Sequence, residues 1–171
     1  MPQQLDLVLQ WFYNSCKSGG CPMTVVQFVI EVVGTYVATI AFGILINIPR
    51  RALNFGGWIG VLGYLLYRFT VLAGGGYVIG NLLGAVAIGV ASLQAARLKK
   101  MPMILFNIPA LVPLVPGGQA YQMIKNFALG HNDTAVSFLL QVVMISGAIA
   151  FGFLLSELVN RVQQRLLRHH R

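Results

Sequence analysis

The stretch Asn107-Ile-Pro-Ala-Leu-Val-Pro-Leu-Val-Pro-Gly-Gly-Gln-Ala-Tyr121 puts three prolines and a glycine pair inside an apolar run long enough to cross a membrane. Proline removes a backbone donor and clashes with the carbonyl four residues back. Lipid offers no replacement partner, so such a break survives only where protein or a water-filled cavity covers it. The run starts near Met103, so Pro113 lies ten residues in. At about 1.5 Å per residue that is roughly 15 Å, the middle of a hydrocarbon core about 30 Å thick. Val112 and Val115 each precede a proline and are pushed away from helical torsions. Pro116 suits the first turn of a new helix, where its missing donor costs nothing. Gly117 and Gly118 let a ligand approach the backbone closely. The new helix then aims its positive end at the membrane centre, a place for a carboxylate. Pro109, Pro113, Pro116, Gly117 and Gly118 are thus candidate substrate-binding positions. Tyr121, one turn on, is a candidate hydrogen-bond partner of the cargo. Asn107 is a candidate for satisfying backbone groups freed on the inner side. The plainer alternative is a kinked but continuous helix whose freed carbonyls are met by neighbours.

Composition explains why lipid is the right solvent for this argument. Only 9% of residues are charged and 57% are hydrophobic, whereas soluble domains carry roughly 25% charged residues. Five apolar segments stand out, near residues 25–48, 52–73, 77–95, 103–124 and 135–159. Each has the length a bilayer crossing needs. The expected fold is an all-α polytopic membrane protein of about five transmembrane helices, the fourth broken by Pro and Gly. The expected organisation is an interfacial segment at 1–23, the membrane domain at 24–160 and a basic cytoplasmic tail at 161–171.

A net charge of +8 would ordinarily direct attention to nucleic acid, but its placement argues for topology instead. Arg50, Arg51, Arg97, Lys99, Lys100, Arg161, Arg165, Arg168 and Arg171 account for nine of the twelve Lys and Arg residues. All nine fall on the segments that five crossings place on one side. Basic loops stay inside, so the N-terminus is expected out and the C-terminus in, with no nucleic-acid partner.

The first 23 residues lack the basic start and long apolar run of a secretory signal. Leu5, Val8, Leu9 and Phe12 fall at helical spacing, which predicts an amphipathic helix in the outer interface, a frayed terminus being the alternative. Cys16 and Cys21 could close a small disulfide on an oxidising exterior or remain free thiols. No acidic residue or His completes a metal-ligand set beside them, and no nucleophile, dinucleotide or P-loop motif is present. Neither metal, cofactor nor enzymatic activity is expected.

Few polar residues enter the spans. Glu31 lies about seven residues into the first. It is either interfacial or an expensive carboxylate suited to binding a proton, the proton-coupling candidate. Arg68, near the outer end of the second, either snorkels to the surface or attracts an anionic substrate group. Asn81 and Gln141 fit helix-to-helix hydrogen bonds. Gly76, Gly80 and Gly84 recur every four residues, as do Gly56 and Gly60, and Ala148 and Gly152. Such spacing allows close helix approach, within the bundle or between copies of a homo-oligomer.

Asn47-Ile-Pro-Arg-Arg-Ala-Leu53 with Gly56-Gly-Trp-Ile-Gly-Val-Leu-Gly-Tyr64 resembles the first inner turn of the threonine/serine exporter family. Ile108-Pro-Ala-Leu-Val-Pro-Leu-Val-Pro-Gly-Gly-Gln-Ala-Tyr121 resembles that family's proline-rich signature. The likeness covers about residues 25–159 and corresponds to the five-span C-terminal half of the large members. It implies the small subunit of a split exporter in the bacterial inner membrane, working with a separately encoded larger subunit. It also implies cargo such as threonine, serine or succinate and coupling to the proton gradient. The 1–23 preface departs from the family pattern. The rivals are a non-transporting scaffold that stabilises a partner and a homo-oligomeric channel. A channel should show a polar stripe along a full helix, which no span has.

Overall fold

The computed structural model describes residues 25–169, with side chains placed for 28–161. The predicted interfacial helix, Cys16 and Cys21 lie outside the described residues. The chain forms two compact units, Met1–Ile30 and Glu31–Arg171. The described part of the first, 25–30, is the opening of one helix, and the packing below belongs to the second.

Among the described residues the regular structure is helical throughout: α1 Val25–Leu45, α2 Arg50–Leu72, α3 Gly76–Lys99, α4 Ile104–Leu111, a 3-10 turn Val112–Leu114, α5 Gly117–Ala128 and α6 Asn132–His169. Helices α1, α2, α3 and α6 are each long and apolar enough to cross a membrane, and 104–114 forms a shorter apolar piece. α6 continues into the expected tail as far as His169.

The connections are short because each closes the same way. Asn47 (φ 62°) takes the left-handed conformation, and Ile48 N–H donates to the Gly43 carbonyl at 3.0 Å while Asn47 N–H donates to Ile44 at 2.9 Å. That pattern is the Schellman motif, and Pro49 then forbids continuation. Lys100 (φ 52°), with Met101 N–H donating to Ala96 at 3.1 Å, ends α3 ahead of Pro102 in like manner. Gly74 and Gly130 supply the positive φ at the other two connections. At the start of α6, Thr134 Oγ1 donates to the His131 carbonyl at 3.3 Å rather than capping an N–H. Asp133 lies in the first helical turn, where its charge suits the dipole.

Glycines set the helix distances. α1 and α2 form an antiparallel pair in which Gly57 faces Tyr36 and Ile40, and Gly60 faces Thr39. α2 and α3 cross where a Cβ on Gly84 would lie 3.0 Å from the Gly63 carbonyl oxygen, and one on Gly63 would lie 3.4 Å from the Gly84 carbonyl. Gly80 packs against Tyr67 and Val71, so the predicted close face is real for Gly80 and Gly84. Gly76 does not belong to it. Its φ is +75° and a Cβ there would meet nothing within 4 Å, because it serves the turn. Gly152 of α6 meets Leu82 and Ala85 of α3, and Gly89 meets Ser156.

These contacts fix direction. Residues 82, 89 and 97 of α3 face 152, 156 and 160 of α6 in rising order, the last through Arg97 Nη2 donating to Asn160 Oδ1 at 3.0 Å. Both helices therefore run the same way. The chain from 100 to 131 has to return across the full bundle height, so α4 and α5 together make one more crossing, the fourth in chain order. Lys99 stacks over the Phe55 ring at 4.4 Å, which brings the ends of α2, α3 and α6 that carry Arg50, Arg97 and Arg161 to one end of the bundle.

Candidate functional site

The fourth crossing is broken between Val112 and Pro116. α4 includes Pro109 in its interior, which costs about 3 kcal/mol in an isolated helix. Here the ring is buried, 3.5 Å from where a Cβ of Gly56 would stand and 3.8 Å from that of Gly43. The absent side chains make room for it. The helix therefore continues past Pro109, and the interruption begins three residues later than that proline. Val112 stays in the helical region (φ −48°, ψ −44°) although it precedes Pro113. It opens the 3-10 turn that buries Leu114 against Gly84. Val115 turns extended (φ −64°, ψ 129°), as a residue before proline prefers.

Pro116 then sits at the centre of a reverse turn of three residues (φ −76°, ψ 56°), with Gly117 N–H donating to the Val115 carbonyl at 2.8 Å. Gly117 does not offer a free donor, because its N–H closes the turn. Ala120 N–H donates to Pro116 at 3.1 Å and begins the regular helix. The N–H groups of Gly118 and Gln119 fall between these two bonds and have no backbone acceptor among the described residues. Gly117 and Gly118 are exposed, and a Cβ on either would meet nothing within 4 Å. The exposed positive end of α5 is thus pointed back into the crossing. Leu114 lies against Gly84, the ninth residue of the 24 in α3, which puts the break well inside the bundle height.

The other expected site residues fall as follows. Tyr121 follows Gly117 by one turn but is 55% exposed on the outer face of α5. Asn107 keeps a buried Oδ1 with no hydrogen-bond partner. Pro113 belongs to the 3-10 turn and is half-buried. Gln141 is exposed, and Asn81 donates to its own helix at the Tyr77 carbonyl, 2.7 Å away.

Glu31 and Arg68, considered separately in the sequence, are brought together. Arg68 Nε stands 3.5 Å from Glu31 Oε2, with side-chain exposures of 18% and 30%. Tyr64 donates its hydroxyl to the same Oε2 at 2.9 Å. Tyr64 was absent from the sequence candidates. Its signal is that it precedes Arg68 by four residues, so both occupy one face of α2. The Tyr64 and Tyr67 rings are 6.0 Å apart. Tyr67 packs on Gly84, whose other side meets Leu114 of the break. Tyr67 and Leu114 therefore both lie against Gly84, which places the tyrosine next to the ion pair close to the interruption.

The pair makes a direct expectation. A lone charge inside a span costs about 2.5–3.5 kcal/mol at its centre, less near an interface. Glu31→Gln and Arg68→Gln should each lower the melting temperature in detergent, and the double variant should lose less than the two losses added. A coupling of about 0.5–3 kcal/mol is the size contacts of this kind show. Strict additivity would mean that the two charges do not support one another.

The arrangement has neither a nucleophile–base pair nor, among the described residues, a group of His, Cys, Asp and Glu able to hold a metal ion. What it presents is a helix break, an open backbone and a charge pair beside it. A family model described as "Threonine/Serine exporter, ThrE" matches residues 31–159, three-quarters of the chain. The matched region runs from Glu31 through the break to the end of the α6 span. No solved structure matches the chain.

Proposed function

Because this chain belongs to the threonine/serine exporter family, a family of membrane transporters, we propose that it is the small membrane subunit of an exporter. Its cargo is threonine, serine or a related small carboxylate such as succinate. The observation that carries this reading is the break at Val112–Pro116. There a half-helix begins inside the bundle with unpaired N–H groups at Gly118 and Gln119. A carboxylate is the ligand that such an end attracts. Gly117 and Gly118 supply the open approach and Pro116 the turn. Pro109 and Pro113 shape the chain that leads into the break. Asn107 contributes its unsatisfied carbonyl on the basic side of the break.

Glu31 is the group that exchanges a proton during the cycle. In its charged form it holds Arg68 and Tyr64, and on protonation it releases both. Arg68 can then attract the cargo carboxylate. This couples efflux to the proton gradient by way of Tyr64 and Tyr67, the latter packed on Gly84 as Leu114 is. The N-terminus lies outside and the C-terminus inside, in a bacterial inner membrane. The larger subunit of the exporter completes the pathway, and a homo-oligomer is compatible with the exposed apolar faces of α1 and α6.

Efflux from proteoliposomes tests the proposal. Vesicles holding this protein with a larger family subunit should release preloaded threonine or succinate faster than protein-free vesicles. A pH gradient should change that rate. Vesicles with the larger subunit alone should be slower. Equal efflux with and without this chain would reduce it to a scaffold and remove the transport assignment.

A further inference from the structure

α5 is amphipathic in the reverse sense. Its main packing partner is α6. The half-buried positions are Gln119, Ala120, Gln122, Met123 and Asn126, which share one helical face. The exposed positions include Tyr121, Ile124 and Phe127, at 55%, 62% and 51%, with Lys125 beside them in the last turn. A helix on a water-soluble bundle turns its apolar stripe inward. Here Tyr121, Ile124 and Phe127 face out, as lipid demands, Lys125 is placed in the last turn where its stem can reach the interface, and Gln119, Gln122 and Asn126 face the protein.

Polar groups in that position require partners. Asn126 Nδ2 donates to the Gln122 carbonyl at 2.7 Å, within its own helix. The side-chain amides of Gln119 and Gln122 have no hydrogen-bond partner among the described residues. Each offers two donors and an acceptor oxygen. The residues of α6 that are buried over this stretch are Ala135, Ile145, Ala148 and Ile149, none of which has a polar side-chain atom. Yet neither glutamine is sealed off, since both keep part of their surface accessible. Water is the partner that fits accessible, unpaired amides beside an apolar helix.

The stripe is also continuous with the break. Gln119 follows Gly118 directly, and Asn126 lies near the end of α5, where His131 N–H donates to the Asn126 carbonyl at 2.9 Å. That end is opposite the basic end marked by Arg97 and Asn160. We propose that Gln119, Gln122 and Asn126 form one wall of a water-filled path from the break to this end, shaped for a small zwitterionic or anionic solute. The water path follows from the reversed amphipathicity. The identity of the solute rests on the exporter reading.

Thiol accessibility separates the two. In a background with Cys16 and Cys21 changed to Ser, single variants Gln122→Cys and Ile124→Cys are treated with a charged methanethiosulfonate in proteoliposomes. Only the thiolate reacts, and a thiol against lipid stays protonated and out of reach. Gln122→Cys should therefore be modified at least about tenfold faster than Ile124→Cys. Gln119→Cys serves as a parallel probe should Gln122→Cys not fold. Threonine or succinate in the medium should slow modification at the glutamine positions and not at Ile124. Equal rates, or faster reaction at Ile124, would overturn the path. The predicted rate order without protection by either solute would support the path and overturn the exported-solute assignment.

Discussion

Gly84→Leu is expected to leave little folded protein, while the neighbouring Leu83→Ala leaves the melting temperature nearly unchanged. A Cβ on Gly84 would stand 3.0 Å from the Gly63 carbonyl oxygen and 2.9 Å from Leu114 Cδ2. The first obstacle is backbone and cannot turn aside. Leucine adds three further carbons beyond that Cβ, so α2 and α3 must separate. Overpacking of a tight site costs about 1–3 kcal/mol, occasionally more. Gly84 lies towards the upper end because the displaced neighbour includes the buried Leu114 that closes the 3-10 turn. Leu83 is 42% exposed and its truncation opens no cavity between helices. Substitutions at such surface positions usually fall within about 0.5 kcal/mol. Gly80→Leu is the companion variant, with the Tyr67 carbonyl 3.1 Å from its Cβ position. The measurement is the monodisperse fraction on size exclusion, with the unfolding midpoint of what survives. Equal midpoints for Gly84→Leu and Leu83→Ala would show that the α2–α3 crossing does not depend on the glycine.

Local chemistry was legible in the sequence, and long-range register was not. The prolines announced a break because their effect on the backbone is confined to a few residues. Even so, Pro109 did not begin it. Whether a proline ends a helix depends on what packs on its ring, and Gly43 and Gly56 are distant in sequence. The Gly80 and Gly84 face was visible from spacing alone, but Gly76 shares that spacing and serves a turn, which only its φ of +75° reveals. Glu31 and Arg68 were each recognised as costly inside a span. Their pairing required the register of α1 against α2, which Gly57 and Gly60 set against Tyr36 and Thr39. The reversed face of α5 was present in the sequence as Gln119, Gln122 and Asn126 at helical spacing. It was hidden because a whole-span window averages α4, which is strongly apolar, with α5, which is not.

Gly117→Val is expected to abolish export while the protein still folds and reaches the membrane. A Cβ on Gly117 would meet nothing within 4 Å, and its φ is not positive, so valine fits without strain. The Gly117 N–H bond to Val115 at 2.8 Å uses only backbone atoms and survives the change. Helix propensity adds no cost, since valine is a somewhat better helix former than glycine. What the branched side chain removes is open space over the unpaired N–H groups of Gly118 and Gln119. A carboxylate bound there would lose its approach to the backbone. Hydrogen bonds to charged groups are worth about 1.5–3 kcal/mol each, so losing two of them amounts to a fall of at least about a hundredfold in export rate. Gly118→Val, equally open to space, should behave alike. Efflux of threonine and of succinate is measured beside membrane abundance and the melting temperature. Loss of export with an unchanged melting temperature places the cargo at the break. Normal export from both variants would mean that the broken crossing is a structural solution to its prolines, and that the solute passes elsewhere.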